Sequence, residues 1–229
     1  MLNLNRFKHI NILGPIGIGK STLAEKLATT LGARLIPEPV DDNPYLGDFY
    51  TAMADGTAMV NRIPGMMQLH LLYRRYENHM SAVFGDRARL CIEDSSIYSD
   101  TVFARMLHRS GHIDDRDLAT YLGLYEIMKD HTRFPDLVIY LSGTADLCLD
   151  RIKKRSRGCE SKISREYLAD LIENYQDIVM ALSRHTQVEI VDAEIAEDAL
   201  LDHALTLVAM AKEQKRQADP FCLAIHKCR

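Results

Sequence analysis

Five short apolar runs recur along the chain: KHINIL (8–13), ARLIP (33–37), RLCIED (89–94), DLVIYLS (136–142) and VEIVDA (188–193). Each has the length and near-continuous hydrophobicity of a strand buried on both faces. Between them, apolar residues return at helical spacing over 20–31, about 44–54, 60–84, 97–109, 114–131, 144–156, 164–183 and 194–212. Strand alternating with helix predicts an α/β fold, a five-stranded parallel sheet flanked by helices. The pattern leaves strand order open. Ligands of such sheets bind outside the carboxyl ends of the strands, so candidate chemistry is sought just after each one.

Two segments fall outside the alternation. SRGCESK (156–162) interrupts a helical pattern with Gly and charge and reads as a flexible loop. Beyond residue 212 the chain loses its period. The expected organisation is one domain over 1–212 and a C-terminal tail over 213–229.

Composition narrows the setting. At 229 residues, 47% hydrophobic and 26% charged, the chain has the make-up of an ordinary globular domain. A net charge of −4 without a basic run argues against nucleic acid as a partner. No apolar run approaches the roughly 20 residues of a membrane span, and MLNLNRFK leads into the first strand with no room for a signal peptide. Cys91, Cys148, Cys159, Cys222 and Cys228 form no C-x-x-C pair, so neither a disulfide framework nor a zinc site is indicated. Cys91 and Cys148 read as small core residues. A cytoplasmic enzyme fits these features.

The candidate chemistry begins after the first run. GPIGIGKST (Gly14, Pro15, Ile16, Gly17, Ile18, Gly19, Lys20, Ser21, Thr22) matches G-x-x-x-x-G-K-[ST] between a strand and a helix. In this motif glycines let backbone N–H groups converge on phosphate oxygens, the Lys reaches the outer phosphates, and the Ser hydroxyl binds Mg²⁺ at the positive end of a helix. The expected ligand is a nucleoside triphosphate, with ATP and Mg²⁺ as the working pair. An acidic residue ending a later strand completes such metal sites. RLCIED offers Glu93 and Asp94; Asp94 is chosen, although alternation alone does not separate them.

Four further elements bear on the acceptor. Glu38 lies between Pro37 and Pro39 on a stiff, extended segment after the second strand. It is a base for an acceptor hydroxyl or a surface residue in a Pro-rich turn. Arg151, Arg155 and Arg157 run from a helix end into the Gly-containing loop, as arginines that neutralise a migrating phosphoryl group or as an ordinary basic helix terminus. Gln68 and Arg75, seven positions apart, share a helix face. Facing Asp100 in EDSSIYSDTVFARML (93–107) they would make a set able to read a base edge; taken singly, each is equally a solvated helix position.

Taken together, these elements resemble the deoxyribonucleoside kinases over roughly residues 8–212, and EPVDDNPYLGDFY (38–50) is most similar to the bacterial purine-type members. The resemblance implies a P-loop kinase fold and an enzyme of nucleotide salvage that phosphorylates the 5′-hydroxyl of a deoxyribonucleoside, as a homodimer. It implies Glu38 as general base, Gln68 on the base, and Arg75 paired with Asp100 at the far edge of the base. Arg151, Arg155 and Arg157 would form an Arg-rich lid at about 151–163. Glu160 and Tyr50 would touch the sugar 3′-hydroxyl and Phe103 would wall the base. The chain departs from the family's [ED]-R-S at Asp94-Ser95-Ser96, where Ser95 stands in place of Arg. That departure leaves two outcomes, a working kinase in which another cation substitutes or a nucleotide-binding subunit with little catalysis; a monophosphate kinase of thymidylate kinase type, which also has a phosphate loop, is a separate rival.

Overall fold

The computed structural model describes residues 7–40, 43–55, 62–85, 89–155 and 163–217, leaving aside the side chains of Tyr50 and residues 53–55. Arg157 and Glu160, the rest of the 156–162 loop and residues 218–229 lie outside this description.

The apolar runs become five parallel strands: β1 (His9–Leu13), β2 (Arg34–Ile36), β3 (Cys91–Asp94), β4 (Leu137–Ser142) and β5 (Gln187–Asp192). Their order is β2-β3-β1-β4-β5. Ile10, Ile12, Ile92, Leu137, Val138 and Ile139 are fully buried on the three central strands, which is why those runs lack alternation. β5 is an edge strand and keeps Ile190 exposed.

Eight α-helices connect these strands among the described residues: α1 (Lys20–Leu31), α2 (Leu46–Asp55), α3 (Ile63–Phe84), α4 (Thr101–Arg109), α5 (Asp115–Asp130), α6 (Ala145–Arg155), α7 (Arg165–Leu182) and α8 (Glu197–Gln217). Local chemistry sets several boundaries. Gly32 ends α1 in a left-handed conformation, with its N–H and that of Ala33 returned to Thr29 and Ala28. Asp114 and Ser164 cap α5 and α7 by accepting from Asp117 N and Tyr167 N.

Two boundaries differ from the periodicity. The helix expected from 97 begins as a 3₁₀ turn over Ile97–Ser99, and the α-helix starts only at Thr101. Asp100, fully buried between the two, bonds inward to groups on α3 and α5. At the other end α8 runs past 212 to Gln217. Its polar last turn is held by Lys215, which pairs with Asp136, and by Arg216 with Glu213.

β1 sits between β3 and β4, so the chain leaves the middle of the sheet in opposite directions on its two sides. That reversal opens a crevice at the carboxyl ends of β1 and β3. A second, smaller apolar cluster (Phe49, Met67, Leu107, Ile113) ties α2, α3 and α4 together beside it.

Candidate active site

A cleft of about 570 Å³ occupies this crevice, a volume suited to a small organic ligand. One end is the loop after β1. Gly14, Gly17 and Gly19 have φ of 152°, 81° and 105°, which L side chains rarely adopt. A Cβ on Gly17 would lie 2.6 Å from the Cys148 carbonyl oxygen, so the loop backbone is seated directly on α6. Pro15 accepts a 3.1 Å hydrogen bond from Lys20 Nζ, which folds over the loop while the backbone turns around Ile16 and Ile18. Ser21 and Thr22 follow in the first turn of α1.

Asp94, the last residue of β3, faces this loop: its Oδ2 accepts from Ser21 Oγ at 2.6 Å. Its Oδ1 is buried with no hydrogen-bond partner among the described residues. Burial, together with the Glu38 charge, pushes the Asp94 carboxyl up to about 6, against the opposing pull of Lys20 and the Ser21 hydrogen bond. An orphaned, destabilised carboxylate oxygen beside a serine hydroxyl is what a divalent cation would relieve, so the residues fit Mg²⁺.

Glu93 points the other way. It accepts from His9 Nε2 and His79 Nδ1, each at 2.9 Å, and His79 Nε2 lies 2.9 Å from the Arg133 carbonyl oxygen. Burial would raise the Glu93 carboxyl, but the His79 charge holds it down at about 2. With acceptors on both ring nitrogens, His79 stands as an imidazolium beside Glu93. This buried cluster is separate from the cleft, and in it His9 Nδ1 and Glu93 Oε1 have no hydrogen-bond partner among the described residues.

Midway along the cleft, Glu38 receives Arg75 Nη2 on Oε1 at 2.5 Å. Burial pushes this carboxyl up, but the charges of Lys20 and Arg75 more than offset it and keep Glu38 below its usual range. Arg75 Nη1 donates to Asp100 Oδ1, and the Tyr121 hydroxyl donates to Asp100 Oδ2. Tyr121, Asp100, Arg75 and Glu38 thus form one continuous polar chain. Gln68, two turns earlier on the same face of α3, lines the cleft at 1% exposure. Neither its amide nitrogen nor its oxygen has a partner among the described residues. A buried primary amide with no bonds is costly, so this group is arranged for a polar ligand. Phe103, on α4, also lines the cleft.

Most of the residues singled out from sequence therefore meet: Gly17, Gly19, Lys20, Ser21, Glu38, Gln68, Arg75, Asp94 and Phe103 line one cleft, with Asp100 directly behind Arg75. Arg151 and Arg155 both line the cleft. Arg151, expected among the movable lid arginines, is instead tied down, donating from Nη1 to Ile18 O and from Nη2 to Ala193 O at 2.8 Å. It braces the phosphate loop. Arg157, Glu160 and the Tyr50 side chain lie outside the described residues. Tyr121 went unseen in the sequence; its signal is the Tyr121–Tyr125 pair, the two buried residues of α5, one turn apart. The Arg75–Glu38 contact has no sequence signal.

Comparison with known proteins gives a consistent picture. The family model described as deoxynucleoside kinase matches residues 10–209. The chain is 38% identical over 180 residues to a deoxyadenosine kinase of Dictyostelium discoideum, spanning 79% of this chain and 70% of that protein. It is 34% identical over 171 residues to a deoxyadenosine/deoxycytidine kinase of Bacillus subtilis, with 73% and 75% covered. Among solved structures it is similar to a deoxyadenosine kinase from M. mycoides with bound dATP, at a TM-score of 0.74 and 26% identity over 88% of this chain and 99% of that one.

Proposed function

This chain belongs to the deoxynucleoside kinase family, and on that footing we propose that it transfers the γ-phosphoryl group of ATP to the 5′-hydroxyl of a purine deoxynucleoside or deoxycytidine. The observation that carries this reading is the order of groups along one cleft: phosphate loop, then Glu38, then the unpartnered Gln68 amide beside the Arg75–Asp100 pair. A triphosphate at one end and a base at the other would bring the sugar hydroxyl to the carboxylate.

The triphosphate lies along Gly14–Thr22, with backbone N–H groups and Lys20 on its phosphate oxygens. Ser21 and Asp94 would hold Mg²⁺, which when bound screens the charge of the phosphates. Gln68 hydrogen-bonds the base edge, which its two unspent amide groups support. Phe103 walls the base on one side. Glu38 takes the proton of the 5′-hydroxyl as that oxygen attacks the γ-phosphorus. The bond from the γ-phosphorus to the β–γ bridging oxygen breaks, and ADP leaves with its electron pair. Lys20 and Arg155 stabilise the charge on the migrating group, while Arg151 keeps the loop in shape. Arg157, Glu160 and Tyr50 would add the remaining lid and sugar contacts. A cytoplasmic homodimer remains part of this reading.

A monophosphate kinase is not favoured, because the match is to the deoxynucleoside family and a phosphate acceptor needs no base such as Glu38. The test is a panel of the common deoxynucleosides and dTMP as acceptors with ATP and Mg²⁺. Formation of a 5′-monophosphate from deoxyadenosine, deoxyguanosine or deoxycytidine is expected. Phosphorylation of dTMP alone, or ATP consumption that no nucleoside stimulates, would overturn the reading.

A further inference from the structure

Position 95 follows Asp94 at the carboxyl end of β3 and carries no charge. Ser95 holds a left-handed φ of 60° with its N–H donated to Ile12 O at 3.0 Å. Its hydroxyl lies beside Glu38 and acts weakly on it, without forming a hydrogen bond of ordinary geometry. The firm hold on Glu38 comes from elsewhere. Arg75, on α3, sends one arm of its guanidinium to Glu38 and the other to Asp100. The arginine side chain is 4% exposed and Asp100 is fully buried, while the Glu38 side chain, at 20%, stands at the open end of the bridge. The Tyr121 hydroxyl fixes the second oxygen of Asp100, which pins the far end of the bridge.

We propose that Arg75 is a positioning residue for Glu38 as well as a reader of the acceptor's base, so that one guanidinium sets the base end and the aim of the proton acceptor together. This rests on the function proposed above and adds to it. A planar guanidinium holds two carboxylates at a fixed separation, because its two arms cannot move independently. Its hold takes up Oε1 of Glu38 and leaves the other oxygen to the acceptor hydroxyl. Arg75 Nε has no partner among the described residues, so the same side chain keeps a donor for a ligand. Lys20, Asp94, Asp100 and Tyr175 also act on Glu38 or are acted on by it. Of these the one cation, Lys20, already folds over the phosphate loop.

Steady-state kinetics on four proteins test this: wild type, Gln68→Ala, Arg75→Lys and Arg75→Lys combined with Ser95→Arg. Gln68→Ala removes a base contact alone and should raise the nucleoside KM with kcat within about threefold. Arg75→Lys keeps the charge but loses the fork. It should raise KM and also lower kcat about tenfold or more, a share of what general-base catalysis supplies. Adding Ser95→Arg, which sets a second guanidinium beside Glu38, should recover most of the lost kcat while KM stays high. Thermal unfolding of each variant identifies any loss of folded protein, and kcat is then taken per folded molecule. The inference is overturned if Arg75→Lys behaves like Gln68→Ala, moving KM alone, or if Ser95→Arg recovers none of the lost kcat. A wild type that phosphorylates no nucleoside sinks the proposed function itself, and this inference with it.

Discussion

Ser21 Oγ and Asp94 Oδ2 meet at 2.6 Å although 73 positions separate them in the chain. The contact joins the first turn of α1 to the end of β3, and it leaves Asp94 with one orphaned, buried oxygen and a raised pKa. Asp94→Asn keeps the shape and removes the charge. The Mg²⁺ concentration for half-maximal activity should rise, and kcat at saturating ATP should fall by about a hundredfold or more. A Mg²⁺ titration of both proteins checks this; an unchanged requirement would exclude Asp94 from the metal site.

Gly17 and Gly123 make a contrasting pair. At Gly17 φ is 81°, and a Cβ would meet the Cys148 carbonyl oxygen at 2.6 Å and Ile152 Cγ1 at 2.7 Å. Gly17→Ala must therefore move the loop off α6, and ATP affinity should drop about tenfold or more, equivalent to about 1.4 kcal/mol. Gly123 lies inside α5 with nothing within 4 Å of its would-be Cβ. Gly123→Ala should stabilise by about 0.5–1 kcal/mol, by helix propensity alone. Calorimetric titration with ATP reads the first and scanning calorimetry the second.

His79 gives a pH signature unrelated to catalysis. Burial pushes its pKa down, but the adjacent Glu93 charge outweighs this and the net shift is upward. The ring binds its proton more tightly folded than unfolded. Its contribution is therefore fully present below the unfolded value of about 6.5 and is lost as pH rises through the higher folded value. The Tm advantage of wild type over His79→Gln should shrink as pH is raised across that window. An advantage that grows with pH would mean His79 is neutral in the fold.

These features differ in how far the chain announces them. The strands were legible because a central parallel strand must be apolar on both faces, as in HINIL and LVIYL. The phosphate loop was legible because its glycines are demanded by geometry that no other residue supplies. The last turn of α8 was not: EQKRQ is polar on every face, and its helix is held by Lys215 reaching Asp136, 79 positions away. The choice of Asp94 over Glu93 needed the fold as well, since alternation puts the two on opposite faces without saying which face holds Ser21. Arg151 read as a lid residue because a basic helix end looks the same in sequence whether it is free or tied to Ile18 and Ala193 carbonyls. The bridge from Asp100 through Arg75 to Glu38 joins three separate elements, and periodicity carries no trace of such contacts.

The proposed reaction turns on Glu38 accepting the proton of the 5′-hydroxyl. Its most direct measurement is the kcat of Glu38→Gln with deoxyadenosine, deoxyguanosine and deoxycytidine, taken alongside ATP affinity in the same preparation. A kcat lower by about 10²-fold or more is expected, with ATP affinity little changed. Turnover near that of wild type would contradict it.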